Sequence, residues 1–86
     1  SGVLAYFPDA LKEIAAVSYK ATEQHHPEKD MFWDRNKSTD HEDAAIRHLI
    51  DHLNEDYVDT DGMYHLAKTA WRVLAALQVF LENKVD

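Results

Sequence analysis

Apolar residues recur at spacings of three and four through most of the chain, and strand-like alternation of apolar and polar residues is absent. That period belongs to helices. With only two glycines and two prolines to interrupt it, the pattern predicts an all-α protein. Three main helices are expected, over about 8–24, 39–53 and 62–82, within one helical domain spanning 1–86. The first opens at Pro8, whose missing N–H costs nothing in a first turn, and Asp9 places negative charge at the positive end of the helix dipole. Its apolar face is Leu11, Ile14, Val17, Ser18 and Ala21. Ser38 or Thr39 is expected to cap the second helix, with Glu42 completing a capping box behind Thr39. The stripe Ile46, Leu49, Ile50 and Leu53 is then expected to face the core.

The third helix has more apolar surface than one neighbour can cover. Leu66, Ala70, Val73, Leu74, Leu77, Phe80 and Leu81 form one stripe, while Ala67, Trp71, Ala75 and Val79 extend onto the other side. Its alanines allow close approach, so the helix is predicted to pack within its own subunit and across a symmetric interface. The expected architecture is a helical bundle completed by oligomerisation, as a homodimer or homotetramer. A central helix buried on all sides is the plainer alternative. Size favours self-association, because a core this small supplies about 3–5 kcal/mol on its own.

Charge narrows the choice of partner. Sixteen acidic against nine basic residues give a net charge of -7, with no basic block to follow a phosphate backbone, which argues against duplex nucleic acid. Small phosphorylated ligands stay open, because divalent cations join carboxylates to phosphate oxygens. The lack of cysteine removes disulfides, thiolate metal sites and cysteine nucleophiles, and permits a reducing cytosol. No apolar run approaches the ~20 residues of a membrane span. The opening Gly2-Val3-Leu4-Ala5 has neither the basic flank nor the length of a signal peptide, and a soluble, cytoplasmic protein is expected.

Carboxylates and histidines crowd the second helix and the connections around it. Asp40 and Asp43 project to neighbouring positions of one helical face. Asp43 lies at the edge of the expected buried stripe, where a carboxylate needs a cation or an arginine. A hard ion such as Mg²⁺ would answer that need, and Glu23 would join it if the connection folds back. The ordinary alternative is that Asp40 caps the helix and Asp43 pairs with Arg47.

Of six histidines, His41, His48 and His52 share one side of the second helix, a spacing that suits a metal. Most of the six, His25 and His26 included, are nevertheless expected at the surface or an interface. His65, in the first turn of the third helix beside Asp61, is placed to orient a carboxylate or a phosphate. Lys20, Arg35, Lys37 and Lys68 are scattered cations able to meet a triphosphate. Trp33 is either a base-stacking platform or an anchor of the polar connection that also carries Met31 and Phe32. Glycine-rich phosphate loops and dinucleotide fingerprints are absent.

Lys20-Ala-Thr-Glu23 and Asp40-His-Glu-Asp43 stand at the separation of the two acidic motifs of the MazG-like all-α nucleoside triphosphate pyrophosphohydrolases, Glu-x-x-Glu and Glu-x-x-Asp. Lys20 replaces one acid of that pattern and Asp40 shortens another. The chain more closely resembles the short phage-type dATP/dGTP diphosphohydrolases of that superfamily, the MazZ-like enzymes. The resembling pieces are Pro8-Asp9-Ala10-Leu11-Lys12-Glu13, Trp33, Asp43-Ala44-Ala45-Ile46-Arg47-His48-Leu49 and Asp59-Thr60-Asp61-Gly62-Met63-Tyr64-His65-Leu66-Ala67-Lys68.

The resemblance implies an enzyme that uses Mg²⁺ or Mn²⁺ to convert a dNTP, dGTP or dATP, to the monophosphate and pyrophosphate. Its setting would be the cytoplasm of a bacterial host where the gene is a phage's. Glu23, Asp40 and Asp43 would hold the metal, with Glu13 as fourth ligand or water-orienting base and Glu42 as a substitute. Glu13, Glu23 and Asp43 would be catalytic, and Lys20, Trp33, Arg47, His65 and Lys68 would contact substrate. Two other readings stand beside it: a non-catalytic helical interaction module using the third helix's apolar surface, and a histidine-based transition-metal binder involving His48.

Overall fold

The computed structural model describes residues 2–25, 33, 35 and 39–84, apart from the side chains of 23–25. The regular structure is helical: α1 (Gly2–Tyr6), α2 (Pro8–His25), α3 (His41–Leu53) and α4 (His65–Glu82). The all-α expectation is met, and among the described residues there is no strand. An isolated antiparallel bridge pairs Val58 with Tyr64. Among the described residues no helix is long and apolar enough to cross a membrane.

The single turn α1 was not expected. It stops at Phe7 because the ring of Pro8 disfavours helical geometry in the residue before it. The Phe7 carbonyl accepts the Leu11 N–H at 2.9 Å, so the chain enters α2 at once, with Pro8 in its first turn.

The start of α3 differs from the expected capping box. Asp40 holds the N-cap position and makes no side-chain cap bond. Its carboxylate instead lies 3.6 Å from both Arg47 and Arg72. Arg47 therefore faces Asp40 and not the expected Asp43. Of the two proposed caps, Ser38 lies outside the described residues.

Both α3 and α2 pack on α4, and α1 packs on α2. α3 meets α4 through His41, Ala44 and Ala45, all buried, and the Thr69 hydroxyl donates across the seam to the Ala45 carbonyl at 3.3 Å. This reverses the inward face expected of the second helix: Ile46 is 56 % and Leu53 70 % exposed. The reason is steric, since alanines let two helix backbones approach more closely than branched side chains do. α4 behaves likewise, burying Ala67 and Ala75 while Leu66, Val73, Leu74, Leu77, Phe80 and Leu81 lie exposed. Among the described residues the buried apolar side chains are four alanines, and no large side chain is fully buried.

Trp33 is held against α3 and α4. Its ring meets His41 and Trp71 edge-on at 5.9 and 5.8 Å, and the Arg35 guanidinium covers it at 4.2 Å. Arg35 also bonds Glu82 near the end of α4. Met31, Phe32 and Lys37 lie outside the described residues.

Candidate functional site

The site grows from the way α3 ends. Glu55 adopts the left-handed conformation, φ +68°, and donates to the His52 carbonyl at 3.0 Å, while Asp56 N–H donates to the Asp51 carbonyl at 3.0 Å. These two bonds form a Schellman closure, which reverses the chain over the last turn of the helix. Asp56 and Tyr57 are thereby returned toward α3. The Tyr57 carbonyl accepts the N–H of His65 at 2.9 Å, serving one of the orphan donors at the start of α4.

A tight turn then arranges two carboxylates. Gly62, at φ +85°, donates to the Asp59 carbonyl at 2.9 Å, and Asp59 N–H donates to Met63 at 2.8 Å. That turn delays α4 to His65, three residues beyond the expected start. The Asp59 side chain accepts the Thr60 N–H at 2.7 Å, and that of Asp61 accepts Met63 N–H at 3.0 Å. Both carboxylates then accept from the Lys68 ammonium at 2.7 Å. Asp61 thus serves Lys68, not His65.

His65 is buried against α3, and its Nδ1 lies 2.9 Å from His48 Nδ1. The same Nδ1 is 3.7 Å from Asp51, while Nε2 is 3.5 Å from Asp56. Burial, followed by the charge of Lys68 and by His65, lowers the His48 pKa from its ordinary 6.5, favouring the neutral imidazole with a lone pair to offer. The bonds from Lys68 hold Asp59 ionised, its pKa lowered to about 2. Burial alone would raise that of Asp61, but the bonds from Lys68 and Met63 outweigh it and lower the value.

Among the described residues two trios bring ligand atoms within 4.8 Å of one another: His48, Asp59 and His65, and Asp51, Asp56 and His65. Glu13, Asp40 and Asp43 belong to neither trio. Asp43 is exposed near the start of α3, and its Cα lies about 12 Å along the helix from that of Asp51. The side chain of Glu23 lies outside the described residues. Lys20 is half-buried on α2 and Arg47 is exposed on α3. Of the expected substrate contacts, the fold therefore gathers His65 and Lys68. The side chain of His25 and the whole of His26 lie outside the described residues; His41 and His65 are buried and His48 and His52 half-buried.

A groove of about 530 Å³ opens beside this cluster, lined by residues that include Glu13, Ile14, His52, Tyr57, Tyr64 and Ala70. Its size and largely apolar, aromatic lining suit a flat organic ligand. His52 packs edge-on against Tyr57 at 5.1 Å, joining the groove to the polar turn.

Residues 2–86 match the family described as dATP/dGTP diphosphohydrolase, N-terminal. The chain belongs to that family. No curated protein and no solved structure matches it. For the divalent ion that such a hydrolase implies, the gathered side chains supply imidazole nitrogens together with ionised carboxylates. That donor set accepts Mn²⁺, Co²⁺ or Zn²⁺ more readily than Mg²⁺, which takes oxygen ligands and keeps much of its water.

Proposed function

We propose that this chain hydrolyses a purine deoxynucleoside triphosphate, dGTP or dATP, to the monophosphate and pyrophosphate with Mg²⁺ or Mn²⁺. The match of residues 2–86 to the diphosphohydrolase family carries the reading. Descent from the MazG-like superfamily, in its short phage type, belongs to the same proposal and rests on the motif resemblance. Water attacks the α-phosphorus, the bond to the bridging oxygen breaks and pyrophosphate leaves. A divalent ion would neutralise phosphate charge and lower the pKa of the attacking water.

The purine is assigned to the groove between Tyr57 and Tyr64, and its phosphates to the side carrying Lys68. Glu13 lines the same groove and is assigned the water-orienting role. Glu23, Asp40 and Asp43 are proposed ligands on the acidic motifs, and an ion at Asp40 would share that carboxylate with Arg47 and Arg72. The test is a turnover panel of the eight common NTPs and dNTPs with Mg²⁺ or Mn²⁺, read by mass. dGTP or dATP should be consumed fastest, with a large loss of rate in Glu13→Gln. Full activity in Glu13→Gln refutes its role, and no turnover of any nucleotide refutes the enzyme.

We also propose that the working form is a homo-oligomer. Ile46, Leu53, Leu74, Leu77 and Phe80 are each at least half exposed, apolar surface of the kind that marks an interaction face. The exposed stripes of α3 and α4 are the surface a second copy would cover.

A further inference from the structure

We propose that His48, His65 and Asp59 form a binding site for a divalent transition-metal ion, of the class Mn²⁺, Co²⁺ or Zn²⁺, at the seam between α3 and α4. The geometry carries this assignment. The two Nδ1 atoms face each other at 2.9 Å, where two neutral imidazoles share a single proton at best. Two nitrogens at that separation, each about 2.1 Å from an ion, subtend about 90° at it, an angle of octahedral coordination. Asp59 brings a carboxylate oxygen within 4.8 Å of a ring nitrogen of each histidine.

The surroundings follow the pattern of a metal-binding histidine. Metal-bound imidazoles commonly turn their second nitrogen to a carboxylate, which fixes the tautomer and raises basicity. His65 does so, with Nε2 3.5 Å from Asp56 while Nδ1 faces His48. His65 is only 3 % exposed, so its orientation is set by the packing of α4 on α3. Asp59 is ionised through nearly the whole pH range, and His48 is biased toward its neutral form. Asp59 shares the Lys68 ammonium with Asp61, so an ion at Asp59 leaves the ammonium held by Asp61, on the side assigned to the phosphates.

The assignment goes beyond the proposed function, whose metal ligands are Glu23, Asp40 and Asp43 on the acidic motifs, and the binding it predicts needs no nucleotide. The experiment is a titration of the metal-stripped protein with Co²⁺, followed by the visible d–d absorption of the ion and by calorimetry, with Mg²⁺ as competitor. With millimolar Mg²⁺ present to occupy the acidic-motif carboxylates, one equivalent should bind per chain. Millimolar Mg²⁺ should leave it in place, and His48→Ala should weaken it by about tenfold or more. Asp59→Asn should weaken it too. Should that variant lose its helical circular dichroism, His48→Ala decides the matter. Absence of saturable Co²⁺ binding in the unaltered protein overturns the site, as does an affinity that His48→Ala leaves within twofold. Failure of the nucleotide panel with Co²⁺ binding intact refutes the hydrolase reading alone.

Discussion

His48 and His65 stand 17 residues apart in the sequence, yet their Nδ1 atoms meet at 2.9 Å across the α3–α4 seam. Such a contact tolerates one proton between the nitrogens and resists a second, because two imidazolium rings would repel at this distance.

Stability should therefore fall on mild acidification. The pKa of His48 is lowered in the folded protein, so the folded state binds fewer protons than the unfolded state between the folded value and 6.5. The contribution is complete above pH 6.5 and is lost as the pH drops from there through the folded pKa. Urea midpoints at pH 7.5 and 5.5 should differ in the unaltered protein, and His48→Gln should reduce the difference. An equal dependence in both would show that other groups produce it.

Lys68 is largely buried between Asp59 and Asp61. Lys68→Met leaves two neighbouring carboxylates without their ammonium partner and should cost about 1–3 kcal/mol in chemical unfolding at pH 7. It should also change the acid limb. With Lys68 present, Asp59 contributes stability above pH ~4 that is lost as the pH falls through about 2. In Lys68→Met that loss should begin at higher pH, visible as an earlier acid transition by circular dichroism.

Glu55 occupies the left-handed position that closes α3. A side chain there costs about 1–2 kcal/mol, and glycine gives back about 0.5–1 kcal/mol through the greater freedom of its unfolded chain. Glu55→Gly should stabilise the protein by about 0.5–1 kcal/mol, read as a raised denaturant midpoint. A loss of stability would mean that the Glu55 side chain makes a contribution larger than its backbone cost.

Leu74 and Leu77 are each about half exposed on α4. If a second copy covers them, Leu74→Glu and Leu77→Glu should convert a sedimenting dimer or tetramer to monomer, with lowered thermal stability. A monomeric unaltered protein at tens of micromolar would contradict the interface.

The helices were legible because the apolar period of three to four residues runs through α2 and α4, 18 residues long each, and Pro8 marks a start. Which face turned inward was not. On α3 a stripe of isoleucine and leucine predicts burial on hydrophobicity alone, whereas close approach at Ala44 and Ala45 decided the packing within the chain. The candidate site was legible in part: His65 and Lys68 were singled out, and His48 stood among the histidines of one helical side. The pairing of Lys68 with Asp59 and Asp61 depends on the turn at Gly62, and that of His65 with Asp56 on the left-handed Glu55. Helical periodicity does not reveal either bend. The acidic pair Asp40 and Asp43 drew attention by spacing, but Arg72, 32 positions beyond Asp40, claims part of Asp40 in the fold.

Product analysis with dGTP in ¹⁸O-labelled water tests the central claim most directly. With Mn²⁺ present, dGMP and pyrophosphate should appear in equal amounts, with the label in dGMP alone, the outcome of attack at the α-phosphorus. Formation of dGDP and orthophosphate, label in the pyrophosphate, or intact dGTP and dATP after prolonged incubation would contradict it.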